Sequence, residues 1–162
     1  MFSSLLVPHP AAAFPQPLFD TGHVWLVTPG HARTFIGSAF GDGSGLNPRS
    51  HLTRRCGWSV VGTVSISPHV AVCHHENVGA QVMLYGALPG LLQEVPLAEL
   101  FAFIMAIAYS VPDGQGKFTF HTDCKWVLDS YNAGWTSCTA SSHMEAALWR
   151  WLFRLVDRET LC

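Results

Sequence analysis

Between Pro96 and Pro112 the chain carries a single charge, Glu99, in a run of apolar and small residues without internal proline or glycine. Pro96 suits the first turn of a helix, where its missing N–H costs nothing. The pattern predicts a helix over 97–110. A helix that is apolar almost all round cannot lie on a surface and has to be enclosed by other elements. Leu100, Phe103, Ile104 and Ile107 recur at helical spacing and form its expected buried stripe.

The flanking segments supply those elements. Residues 34–40 are small and apolar and lead into Gly41-Asp42-Gly43-Ser44-Gly45, which reads as a strand ending in a turn. Residues 47–55 read as a polar loop. The Val, Ile, Ser and Thr content of 57–67 predicts a second strand, and 82–88 a third before Pro89-Gly90. Residues 118–122 alternate as a fourth. A short helix is expected over 125–132, closed by Gly134. A last helix is expected over 143–158, capped by Ser141 or Ser142, with Trp149, Leu152, Phe153 and Val156 on one apolar face. Three strands, a helix, a strand and further helices define a mixed α/β sheet. Pro8, Pro10, Pro15, Pro17 and Pro29 mark residues 1–33 as an extended N-terminal arm, in which 24–27 has the makings of a short strand laid on the domain 34–162.

Composition limits the function. With 162 residues, 49% of them apolar, the chain is expected to form one domain with its own core. Charged residues make up 12%, against about 25% in an average domain. The net charge of −2 excludes a nucleic-acid binder held by bulk positive charge, so any such contact has to be local. No apolar run approaches the roughly 20 residues of a membrane span, and no membrane partner is expected. The five cysteines form no C-x-x-C pair and are odd in number, which points to reduced thiols in a cytoplasmic or nuclear protein. The N-terminus lacks a basic segment, and Pro8 and Pro10 interrupt its apolar stretch, so the chain is not expected to be secreted. Cys73-His74-His75 has no second ligand pair and reads as a polar loop rather than a zinc site.

In a chain so poor in charge, three acids stand at element ends. Asp42 and Asp123 each follow an apolar strand, and Glu99 lies near the start of the central helix. Ligands of α/β sheets gather beyond the carboxyl ends of neighbouring strands. If the two strands are neighbours the acids converge, and hard oxygen ligands without His or Cys suit Mg²⁺ or Mn²⁺. The alternative is that each acid is a cap or turn former, with Glu99 on one wet stripe of its helix. Arg49, Arg54 and Arg55, between the first two strands, are candidates for phosphate contacts. Arg150, Arg154 and Arg158 form a basic stripe that reads as a solvated helix face, and His121 reads as a packed histidine. Trp126 and Trp135 read as core residues.

Gly41-Asp42-Gly43-Ser44-Gly45, Gln93-x-Val95-Pro96-x-Ala98-Glu99-Leu100 and Thr122-Asp123-Cys124-Lys125 occur in this order. Together with Trp149-Arg150-x-Leu152, the segment from Phe35 to Glu159 resembles the type-1 ribonuclease H domain in its retroelement-like form. The resemblance implies a ribonuclease H-like five-stranded mixed sheet with helices on both faces. It implies cleavage of the RNA strand of RNA–DNA hybrids. Asp42, Glu99 and Asp123 match the first three of the family's metal-binding carboxylates, and two Mg²⁺ or Mn²⁺ ions are implied in the complete site. The family's fourth Asp follows a fifth strand, in a last helix. The chain ends at Cys162 before such a segment, so the expectation is a domain lacking the last strand and helix, with activity weakened or lost. The alternative expectation is a non-catalytic nucleic-acid-binding remnant of the same fold. Leu97 stands where the family often has a polar residue.

Overall fold

The computed structural model describes residues 23–47, 49, 54–63, 81–90, 92–111, 116–140 and 145–159. Residues 1–22, Cys73-His74-His75, Ser141 and Ser142 lie outside the described residues.

Among the described residues, seven strands and three helices follow in the order β1 (His23–Val27), β2 (Phe35–Ile36), β3 (Ser38–Leu46), β4 (Arg55–Thr63), β5 (Gln81–Ala87), α1 (Val95–Ala108), β6 (Ser110–Val111), β7 (Thr119–His121), α2 (Lys125–Cys138) and α3 (Ala146–Glu159). The main sheet has five strands in the order β1-β5-β4-β3-β7. β3, β4 and β5 form an antiparallel meander, and β7 runs parallel to β3. The architecture is the mixed α/β sheet expected from the sequence. Its fifth strand is β1, antiparallel to β5 at one edge. Among the described residues β7 is the other edge. A second, two-stranded sheet pairs β2 with β6 in parallel. Phe35 N–H donates to Tyr109 O at 2.9 Å and Thr119 N–H to Gly37 O at 2.8 Å, so this small sheet ties the end of α1 to the starts of β3 and β7.

A first expectation is overturned. The glycine run 41–45 is not a turn: β3 continues through it to Leu46, paired with β4 from Ala39↔Gly62 to Leu46↔Arg55. The reason lies in the alternation of side chains along a strand. Gly41, Gly43 and Gly45 share the face under α1. A Cβ on Gly41 would collide with the Phe120 ring, one on Gly43 would lie 2.7 Å from Glu99 N, and one on Gly45 2.9 Å from Val95 Cγ2. These glycines are there for close backbone approach rather than for reversal. On the helix side Ala98, Ala102 and Ala106, spaced by four, are fully buried and complete the tight seam.

α1 is enclosed as predicted. Leu97, Phe101 and Met105 join Trp58, Val60 and Leu84 in the core against the sheet. Leu100, Phe103 and Ile104 join Val127, Trp149 and Leu152 in a second core against α2 and α3. Trp126 packs 5.9 Å from Trp149, whereas Trp135 is exposed with one edge on Phe153. Gly134 (φ 82°) breaks α2 where a stop was expected, and the helix then resumes to Cys138. On the sheet face away from α1, His121, Phe40, Val61, Met83 and Leu26 stand in register in one cross-strand row. Phe40 is 50% and Leu26 54% exposed.

Candidate metal centre

Three elements bring three acids together. Asp42 lies within β3 opposite Ser59, Asp123 follows β7, and Glu99 is on α1. Each offers a carboxylate oxygen, and these oxygens all lie within 4.8 Å of one another. The parallel pairing of β3 with β7 ends at Phe40↔His121, so both Asp residues stand two positions beyond one rung of the ladder. Asp42 and Asp123 are exposed and line a shallow cleft of about 350 Å³ with Phe40, Gly41, His121 and Thr122. His121 is exposed rather than packed inside, and its ring stacks on Phe40 with centroids 4.4 Å apart.

Glu99 differs from the other two. It is 5% exposed, so the wet-stripe alternative does not hold. Burial pushes its carboxyl above the usual range, and the charges of Asp42 and Asp123 push the same way. The Gly43 backbone N–H and the Thr122 hydroxyl oppose the shift by hydrogen bonding to it. Thr122 Oγ1 lies 3.4 Å from Glu99 Oε2 and accepts from Cys124 N–H at 3.1 Å. A buried carboxylate among like charges is a group whose ionisation an added cation favours. The donor set, all carboxylate oxygen, fits a hard divalent ion such as Mg²⁺ or Mn²⁺.

The sequence shows Gln93 only as part of a motif and assigns it no role, whereas in the structure it seats the helix. Gln93 is buried; its Oε1 accepts from Cys56 N–H at 2.8 Å, and its Nε2 donates to Leu88 O at 2.9 Å and Gly90 O at 2.8 Å. It thereby pins the segment leading into α1 to β4 and the end of β5. Its place at the head of the Gln93-x-Val95-Pro96 motif is the trace of this in the sequence.

Arg49 is exposed in a turn. Arg54 and Arg55 are half-buried, and Arg55 Nη1 donates to Arg54 O at 2.8 Å. Arg55 opens β4 opposite Leu46, four rungs from the Asp42↔Ser59 pair, or about 13 Å along the strand. On α3, Arg150 Nη2 donates to Thr139 O at 2.9 Å, and Arg154 is exposed.

No family model matches the chain, and no curated protein matches it in sequence. Among solved structures it is similar to LC9-RNase H1, described as a type 1 RNase H with the type 2 active-site motif. The identity is 15% and the TM-score 0.52; the match covers 76% of this chain and 59% of that one. The fold is therefore ribonuclease H-like. The chain spans about three fifths of the protein it matches. Among the described residues no helix is long and apolar enough to cross a membrane.

Proposed function

We propose that this chain carries the catalytic centre of a divalent-metal-dependent endonuclease that hydrolyses the RNA strand of RNA–DNA hybrids. One observation carries the reading: in a ribonuclease H-like fold, Asp42, Glu99 and Asp123 reach one point from a strand, a helix and a strand end. Those residues hold Mg²⁺ or Mn²⁺, which when bound promotes attack of water on a phosphodiester and stabilises the leaving oxygen. The chain's own contribution is placement. Asp42 and Asp123 face the cleft from two paired strands and open it to a phosphate backbone. Glu99 closes the buried side. The retroelement-like affiliation, the two-ion stoichiometry and the phosphate contacts of Arg49, Arg54 and Arg55 belong to the same proposal.

The test is incubation of the purified chain with a labelled RNA–DNA hybrid in Mg²⁺ or Mn²⁺. RNA-strand cleavage that disappears in Asp42→Asn and Asp123→Asn is the expected result. A second reading, a non-catalytic hybrid-binding remnant, is favoured by the count of three carboxylates in the cluster among the described residues where the resembling family uses four. Hybrid binding without cleavage, unchanged in both Asn variants, selects that reading. No binding and no cleavage defeats both.

A further inference from the structure

The Glu99 side chain reaches its two partner acids only if its rotatable bonds are held, and a flexible acid loses conformational freedom when it is fixed. Two donors take hold of it, one on each flanking strand. The first is the Gly43 backbone N–H of β3. The second is the hydroxyl of Thr122, which follows β7.

We propose that Thr122 is a positioning residue that holds the Glu99 carboxylate toward Asp42 and Asp123 for cation binding; this rests on the metal-centre reading above. Strand alternation sets its direction. His121 stands on the outer face with Phe40, so Phe120 and Thr122 point toward α1. Phe120 spends that orientation on packing, its ring stacked on Phe103 at 4.5 Å. Thr122 comes at the same face two residues later, beside α1, whose Glu99 is the one buried acid among the described residues. Its hydroxyl is also oriented. Cys124 N–H donates to Oγ1 at 3.1 Å, which occupies a lone pair of the oxygen and leaves the hydroxyl hydrogen to point elsewhere. Glu99 Oε2, at 3.4 Å, is the acceptor on that side. The separation is long for an O–H···O bond, and such bonds shorten when a site is loaded. The β-branched side chain adds stiffness at χ1 that a straight polar chain lacks. The Cys124 N–H donates to Thr122, and the Thr122 hydroxyl and the Gly43 N–H donate to Glu99, so donors from β3 and from the start of α2 converge on this one carboxylate. Residues that hold a metal ligand in this way govern affinity almost as strongly as the ligand, and their loss typically weakens binding about 10–100-fold.

The experiment titrates Mn²⁺ into the metal-free chain and follows free Mn²⁺ by its paramagnetic resonance signal, with thermal melts in chelator as the fold control. Five proteins are compared: wild type, Thr122→Ser, Thr122→Val, Glu99→Gln and the double variant Thr122→Val/Glu99→Gln, which closes the cycle. Thr122→Val should weaken Mn²⁺ binding about 10–100-fold, and Thr122→Ser should restore it. In the Glu99→Gln background Thr122→Val should have no further effect, because the hydroxyl acts through that carboxylate. An equal Mn²⁺ affinity for wild type and Thr122→Val overturns the proposal while leaving the metal centre standing. So does a full Thr122→Val effect in the Glu99→Gln background, which assigns the loss to the start of α2 instead. Wild type that binds no Mn²⁺ overturns the metal-centre reading, and the role of Thr122 with it.

Discussion

Gly43 lies directly beneath Glu99: its backbone N–H bonds the Glu99 carboxylate, and a Cβ on it would stand 2.7 Å from Glu99 N and 3.0 Å from Val95 O. One missing side chain therefore sets both the distance of α1 from the sheet and the reach of its acid. Gly43→Ala forces helix and strand apart against backbone atoms that cannot give way. It should cost about 1–3 kcal/mol, the usual range for overpacking, read by urea unfolding, and should weaken Mn²⁺ binding as well. Ala at the open position Gly90 is no control, since φ there is +87°.

Glu99 makes stability depend on pH in a defined direction. Burial, then the like charges of Asp42 and Asp123, raise its carboxyl above the unfolded value. The folded chain then binds a proton more tightly than the unfolded chain. The favourable contribution is complete below the unfolded carboxylate pKa and is lost as pH rises through the raised one. Glu99→Gln should remove this fall, so that in chelator at neutral pH the variant melts above wild type. Thermal melts across pH 4–8 check the sign.

Added divalent ion should reverse that order. At a concentration one hundred times its Kd, a ligand of the folded state adds about 2.7 kcal/mol, or on the order of 5–10 °C in a chain of this size. Wild type should gain this from Mg²⁺ or Mn²⁺, whereas Asp42→Asn and Glu99→Gln should gain less. Melts that do not respond to either ion would count against the site.

Phe103 joins two elements to α1. It is 8% exposed, stacks on Phe120 at 4.5 Å and meets Tyr131 edge-on at 5.5 Å. Phe103→Ala should cost about 3–5 kcal/mol, a large share of the 5–15 kcal/mol typical of a domain. A shift of the urea midpoint at constant slope is the expected observation.

In the row His121, Phe40, Val61, Met83 and Leu26, Phe40 and Leu26 are exposed among the described residues, and Val61 and Met83 between them are half-buried. Exposed apolar side chains on a sheet whose outer strands among the described residues are β1 and β7 favour association. Leu26→Lys, on edge strand β1 and 54% exposed in the wild type, should lower self-association with little change in stability. Sedimentation velocity at several concentrations measures it.

Some of this was legible in the residues themselves. One charge in an apolar run after Pro96 could only mean an enclosed helix, because burial of that surface demands partners on every side. Alternation along 118–122 marked β7, since a period of two is that of a strand. The three acids were conspicuous because so few charges surround them. Other features depended on contacts between segments far apart in the chain. Gly41-Asp42-Gly43-Ser44-Gly45 has the composition of a turn, and only the proximity of Phe120, Glu99 and Val95 makes it a strand under a helix. Gln93 opened a motif in the sequence, but its role appeared only once Cys56, Leu88 and Gly90 surrounded it. The fifth strand came from residues 23–27, whose pairing with β5 no local pattern specifies, because an edge strand needs only a partner with unpaired backbone groups. Local chemistry chose the elements and the acids; tertiary packing decided which backbone could come close enough to bring the acids within 4.8 Å of one another.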